Sequence, residues 1–171
     1  YLKKIILIFE RLFINQLDLI STISDEMFNK VKVKLKDKKK LFLFPNFVET
    51  SAFKSKFKNK SDNPLYMELN LSNEKKIVMF SGTFNEKLSY ETLIKTIKIL
   101  QKRKDIFFLF SGEGPKKDYL LESLKGFKNI KITEFQPIEK LSYWINIADV
   151  HLIPQKLSIE DLVLPSKLLP V

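Results

Sequence analysis

A chain of 171 residues that is 44% apolar, with only 4 glycines and with aromatics that are mostly phenylalanine, can bury one real core and is ordered rather than disordered. It has no cysteine and a single histidine, which excludes disulfides, thiolate nucleophiles, cysteine-based zinc sites and multi-histidine metal sites. The net charge of +10 is concentrated in residues 30–40 and 54–60 and attracts polyanions generally, whether nucleic acid, an anionic membrane surface or a phosphorylated substrate; a lysine-rich, glycine-poor genome accounts for it equally well.

In chain order, residues 3–17 carry Ile5, Ile6, Ile8, Phe9, Leu12 and Phe13 at mostly helical spacing, which predicts a helix with one apolar face. Glu10 and Arg11 interrupt that stretch, and it is far shorter than the roughly 20 residues needed to span a bilayer. A short strand over Leu17 to Thr22 follows. Ser24 ahead of Asp25 and Glu26 is a helix opening, a capping oxygen before acidic first-turn residues, for a helix to about Lys34. Leu41 to Phe44 reads as a compact buried strand ended by Pro45-Asn46. Residues 46–63 are polar, lysine-rich and without clear periodicity, a linker or excursion, and Asn63-Pro64 opens a short helix.

The pattern then becomes regular. Strands are predicted at Lys76 to Phe80, Ile106 to Phe110, Ile130 to Ile132 and Val150 to Ile153, with helices at Leu88 to Gln101, Pro115 to Leu124 and Ile138 to Ile147. Continuous apolar strands alternating with amphipathic helices mean an α/β fold, a doubly wound parallel sheet covered on both faces. Ligands of such sheets sit at the carboxyl ends of the strands, in the loops that lead to the helices.

Four loops leave those ends. In Ser81 to Lys87, Gly82 permits a tight turn and Lys87 stands near a helix start where a diphosphate can rest, although an ordinary turn with a solvated lysine has the same form. Ser111 to Lys116 holds Gly112, Gly114 and Pro115, a turn that lets the backbone approach another body or is turn geometry alone. Phe135, with the exposed backbone of Glu134 to Pro137, can receive a flat base, a weak signal when taken alone. The last loop, from Pro154 to Lys167, delivers Pro165, Ser166 and Lys167 to a helix opening. Unpaired amides there carry partial positive charge, so Ser166 and Lys167 suit a phosphate, and Asp161 suits sugar hydroxyls; the rival is a simple helix cap.

The succession Ser24-Asp25-Glu26-Met27, Phe44-Pro45-Asn46-Phe47-Val48, Phe80-Ser81-Gly82, Glu86-Lys87, Gly112-Glu113-Gly114-Pro115, Ala148-Asp149-Val150 and Leu164-Pro165-Ser166-Lys167-Leu168 resembles the family 4 glycosyltransferases over essentially the whole chain. It is most similar to the branch of colanic-acid-type and other exopolysaccharide transferases. The resemblance implies two facing Rossmann-like halves, with a nucleoside-diphosphate sugar bound mainly by the C-terminal one. Residues 1–49 would then be the tail of the acceptor-side half, and residues 50–171 the donor-binding half, cut short at its C-terminus. The chain reads as truncated at both ends and inactive by itself.

By the same resemblance, Gly82 and Lys87 face the donor diphosphate, Phe135, Gln136, Pro137 and Ile138 cradle the base, and Ser166 and Lys167 face the phosphates, with Lys87 and Lys167 in the catalytic role. The implied reaction is a retaining hexosyl transfer without metal or other cofactor, from the donor to a saccharide or lipid-linked acceptor in polysaccharide biosynthesis. The implied location is cytoplasmic and peripheral on the inner membrane face, where the basic surface meets anionic lipid. Two departures stand out. Thr83 occupies a place where many members have Arg, and around the paired glutamates of the family this chain offers only Asp161, followed by the acid-free Leu169-Pro170-Val171.

Two other readings remain. One is a non-catalytic nucleotide-sugar-binding module, favoured by Thr83 and the missing acids. The other is a nucleic-acid binder, disfavoured because arginine is scarce and the lysines lie in linkers and on helix exteriors; no specific nucleic-acid partner is expected.

Overall fold

The computed structural model of the protein describes residues 1–48, 53–54, 57–72 and 74–157. These divide between Phe47 and Val48 into two compact units.

The first unit is built from α1 (Leu2–Gln16), β1 (Ile20–Thr22), α2 (Asp25–Lys32) and β2 (Leu41–Leu43), with β1 and β2 paired in parallel at Ile20↔Leu41. The predicted helix opening is present: Ser24 is extended (φ −143°) and its hydroxyl accepts the Met27 amide at 3.3 Å, with Asp25 and Glu26 in the first turn and Lys30 and Lys32 in the last, each complementing the helix dipole. Asn15 ties α1 to the chain beyond α2, since its Oδ1 accepts from the Lys36 amide at 2.8 Å and its Nδ2 donates to the Lys34 carbonyl at 3.1 Å. The expected buried strand at 41–44 differs: only Leu41 is buried, and Phe42, Leu43 and Phe44 are exposed. A two-stranded sheet has one helix to lie against, so most of its apolar surface stays uncovered. The same is true of α1, none of whose residues is buried.

The second unit contains α3 (Leu65–Glu68), β3 (Lys76–Ser81), α4 (Tyr90–Leu100), β4 (Ile106–Ser111), α5 (Lys117–Ser123), β5 (Ile130–Thr133), α6 (Leu141–Ile147) and β6 (Val150–His151). Its strands form one parallel sheet in the order β5-β4-β3-β6, with Phe80↔Phe110, Phe110↔Ile132 and Met79↔His151 as facing pairs. Alternation along each strand feeds two cores. Phe80, Phe108 and Phe110 pack with Leu93, Ile94 and Ile97 of α4 and Leu120 of α5. Ile77, Met79 and Leu109, the intervening residues, pack with Leu65 and Tyr66 of α3 and Trp144 and Ile147 of α6. The sheet is therefore covered on both faces, as the continuous apolar runs required.

The chain moves outward from β3 to β4 to β5, then α6 carries it back across the other face to β6 on the far side of β3. Strand order thus reverses between β3 and β6, the switch point beside which open α/β sheets bind their ligands.

Element bounds differ from the sequence expectation where backbone groups are spoken for elsewhere. The helix expected from Leu88 starts at Tyr90, because Leu88 bridges to Gln155 and the Ser89 amide donates to the Pro154 carbonyl at 2.7 Å. The helix expected from Pro115 starts at Lys117, because the Lys116 amide donates to the Phe84 carbonyl at 3.0 Å. The one expected from Ile138 opens with a tight 3₁₀ turn, Ile138–Lys140, before α6. Part of the expected linker is anchored on α6: Asn146 donates to the Phe53 carbonyl at 2.7 Å, Ser142 to that of Lys54 at 3.2 Å, and buried Asn63 to that of Tyr143 at 2.8 Å.

Candidate functional site

At the carboxyl edge of the sheet the first two loops interlock. The Gly82 amide continues the ladder to the Ser111 carbonyl at 2.8 Å, and the Gly112 amide does the same to Thr133 at 2.9 Å. The two glycine backbones approach so closely that a Cβ on Gly112 would stand 1.9 Å from the Gly82 carbonyl oxygen. Phe84, fully buried against Phe80 with ring centroids 5.5 Å apart, plugs the space beneath. Its amide donates to the Glu113 carbonyl at 2.8 Å, closing loop one onto loop two.

Loop one is also paired with the chain leaving β6. Leu88 and Gln155 form an antiparallel bridge, flanked by the bonds from the Ser89 amide to the Pro154 carbonyl and from the Lys156 amide to the Lys87 carbonyl at 3.0 Å. This short ribbon joins the exits of the two strands that flank the switch point. Asn85 steadies its start, its Oδ1 accepting the Lys87 amide at 2.9 Å. The Lys87 side chain is exposed and forms no ion pair among the described residues, so its charge is available at the rim. Thr83 is exposed beside it. The neighbouring Glu86 carboxylate accepts from Lys116 at 2.8 Å, and Lys156 stands 3.9 Å away. That hydrogen bond and the two ammonium charges hold the Glu86 pKa below its ordinary value despite some desolvation.

The third loop reaches the same edge by side-chain bonds. Ser111, buried, donates to the Glu134 carbonyl at 2.7 Å, and Gln136 donates to the same oxygen at 3.1 Å. Phe135 and Ile138 stay exposed, as does Pro137, on the flank of the sheet formed by β5.

The sequence-predicted residues therefore divide. Gly82, Thr83 and Lys87 stand at the switch point, and Phe135, Gln136, Pro137 and Ile138 lie along the same edge, two strands away. Asp161, Pro165, Ser166 and Lys167 lie outside the described residues, as does the helix expected to open there. Sequence reasoning missed Phe84 as the plug and the pairing of Glu86 with Lys116 and Lys156. A lone Phe inside a polar loop was a usable signal for the first. The second is a contact between residues far apart in the chain, and periodicity carries no trace of it.

The family described as Glycosyl transferases group 1 matches residues 65–162. The putative colanic acid biosynthesis glycosyl transferase WcaI of Escherichia coli (strain K12) is 32% identical over 162 residues, which are 94% of this chain and 39% of that protein. Among solved structures, Anabaena Alr3699/HepE in complex with UDP and glucose superposes with a TM-score of 0.68 at 12% identity, covering 85% of this chain and 40% of that one. A glycosyltransferase from Rickettsia africae ESF-5 superposes with a TM-score of 0.67 at 12% identity, covering 82% and 40%. At such identities the two superpositions speak for the fold alone. The chain spans about two-fifths of the length of these relatives.

Proposed function

The chain belongs to the group 1 glycosyl transferases, and from that premise we propose that it carries the donor-binding half of an enzyme that moves a hexosyl unit from a nucleoside-diphosphate sugar to an acceptor hydroxyl in surface polysaccharide or glycoconjugate synthesis. The observation that carries this reading is the ribbon between residues 87–89 and 154–156 at the β3/β6 switch point. It holds Lys87, without an ion pair among the described residues, beside the segment that leads in sequence to Asp161 and Pro165-Ser166-Lys167. A diphosphate beside Lys87 and Lys167 would have its charge offset most as the glycosidic bond breaks and the charge grows, which lowers the barrier rather than merely tightening ground-state binding. Gly82 leaves room for that group near the backbone, Phe135 to Ile138 offer an apolar ledge for the base, and configuration at the transferred carbon is retained. The bound UDP and glucose of Alr3699/HepE and the colanic acid role named for WcaI support this choice of donor and pathway.

Residues 1–49 are read as the tail of the acceptor-side half and 50–171 as the donor half. Uncovered apolar surface on α1 and β2 supports this, since a two-stranded unit of that kind needs further chain to pack against. The acceptor, saccharide or lipid-linked, would meet the acceptor-side half, and the basic surface would hold the enzyme on an anionic membrane face.

Calorimetry tests the donor site. UDP is expected to bind the folded chain, and Lys87→Ala to weaken it by about tenfold or more, the worth of one charge-assisted contact. No heat from UDP, GDP or ADP with folded protein sinks the reading. A non-catalytic module, which exposed Thr83 in place of the arginine of many members favours, is separated by turnover of the longer polypeptide: such a module binds donor and releases no nucleotide.

A further inference from the structure

A cleft of about 370 Å³ opens between the N-terminal ends of α4 and α5, walled in part by Leu88, Ser89 and Lys156 of the ribbon. Its volume is within the range of roughly 300–1,000 Å³ typical of small-ligand sites. Lys87 does not line it, although its neighbours Glu86 and Leu88 do. Four charged residues line it, Glu86, Glu91, Lys116 and Lys156, and their formal charges cancel. The two lysines are already engaged by Glu86, at 2.8 and 3.9 Å, so a phosphate or a nucleotide finds no uncommitted cation here.

The remaining wall is aromatic. Tyr90 and Tyr119 meet edge to face with centroids 6.0 Å apart and planes at 88°, and the Lys116 ammonium lies 6.0 Å from the Tyr119 ring centre. Tyr119 is half exposed, whereas Tyr90 is buried to 7% exposure and its hydroxyl has no hydrogen-bond partner among the described residues. That hydroxyl is closed to solvent, so Tyr90 backs Tyr119 rather than meeting a ligand. Burial, and then the nearby Glu86 charge, push the Tyr90 pKa up to about 12, so it stays protonated throughout the physiological range.

We propose that this cleft is a secondary site for a neutral sugar ring, its hydroxyls meeting Glu86 and Lys156 and its apolar face lying on Tyr119. A neutral, polyhydroxylated ring fits because the site offers donors and acceptors in balance with an aromatic surface and no net charge. The inference is independent of the donor reading, because none of the residues proposed to bind the diphosphate or base lines the cleft.

Saturation-transfer NMR on the full chain with maltose as the probe tests it, with glucose 1-phosphate and glucosamine as charged comparisons and UDP as competitor. Maltose is expected to receive saturation and to keep it when UDP is added. The half-exposed Tyr119→Ala should weaken maltose binding about five-fold, the worth of one aromatic contact, while leaving the calorimetric UDP affinity unchanged. Glu86→Gln, which keeps the shape, should weaken the maltose signal in the same direction. The inference is overturned if maltose gives no transfer, if UDP displaces it, if the signal survives both substitutions, or if either charged sugar binds more strongly. UDP failing to bind while maltose behaves as stated would overturn the donor reading alone.

Discussion

Gly112 has no room for a side chain, and the reason is a close approach rather than its own dihedral angles. A Cβ there would sit 1.9 Å from the Gly82 carbonyl oxygen and 2.9 Å from its carbon, both backbone atoms that cannot swing aside. Gly114 combines both constraints, with φ +144° and the Phe84 carbonyl oxygen 2.6 Å from the added atom, whereas Gly126 has φ +85° and open space. Gly112→Ala is therefore expected to destabilise by about 3 kcal/mol or more through forced separation of the first two loops. Gly126→Ala should lose only the backbone strain, about 1–2 kcal/mol. Urea denaturation of the two variants checks this, and equal losses would show that the loops part without resistance. The Gly-x-Gly pattern was visible in the sequence and so was its place after a strand. The carbonyl it must accommodate belongs to another loop, which no local pattern announces.

At the scale of elements, β6 shows how a two-residue strand is kept in a sheet. Asp149, just ahead of it, donates its amide to the Ile77 carbonyl at 2.8 Å while its carboxylate accepts the Ile77 amide at 2.6 Å and pairs with Lys60, Lys76 lying 3.7 Å away. Just behind, the Leu152 amide donates to the Met79 carbonyl at 2.7 Å, and His151 donates from Nε2 to the Ile145 carbonyl at 3.0 Å. Desolvation works to raise the Asp149 pKa, but the Lys60 and Ile77 bonds and the two lysine charges outweigh it and hold the group below its ordinary 3.8. Burial pushes the His151 pKa below 6.5, against a smaller opposing effect of the Ile145 bond. Both groups bind a proton more readily unfolded than folded, so each contributes stability that is complete above its unfolded value and is lost as pH falls toward its folded one. Acidification should therefore weaken the fold, with one component starting below pH 6.5 that His151→Gln removes, and another at lower pH that Asp149→Asn reduces and that the likewise depressed carboxyls of Glu86 and Asp105 share. Urea midpoints across a pH series read this directly; an acid limb unchanged in Asp149→Asn would mean that the carboxylate does not hold the strand. The alternation of strands and helices, the Ser24 cap and the covered sheet were legible because they are written in period and capping residue. The late start of α4, the shortness of β6 and the anchoring of Phe53, Lys54 and Asn63 on α6 were not, since each follows from a partner brought up by the fold.

Across the whole molecule, charge and apolar exposure are unevenly spread. The second unit buries Phe80, Phe84, Phe108 and Phe110 in one core, while the first leaves Ile6, Ile8, Phe9, Leu12 and Phe13 of α1 exposed and carries the lysine run 30–40. No helix among the described residues is long and apolar enough to cross a membrane. A lipid surface can therefore be engaged by the first unit in two ways, by lysines attracted to anionic headgroups or by the apolar face of α1 lying in the interface. The proposed peripheral association rests on the first. Attraction of exposed ammonium groups fades over a Debye length of about 8 Å at physiological salt, so binding to vesicles of mixed phosphatidylserine and phosphatidylcholine should fall steeply as salt is raised. Vesicles of phosphatidylcholine alone should retain little protein. Phe9→Glu, on a residue 67% exposed, discriminates the two modes because it removes apolar surface and changes the net charge of +10 by a single unit. Under the electrostatic mode it reduces co-sedimentation only slightly. Equal binding to neutral and anionic vesicles that Phe9→Glu abolishes would defeat the electrostatic reading and assign the contact to α1, whose apolar face would then be covered by lipid rather than by further chain.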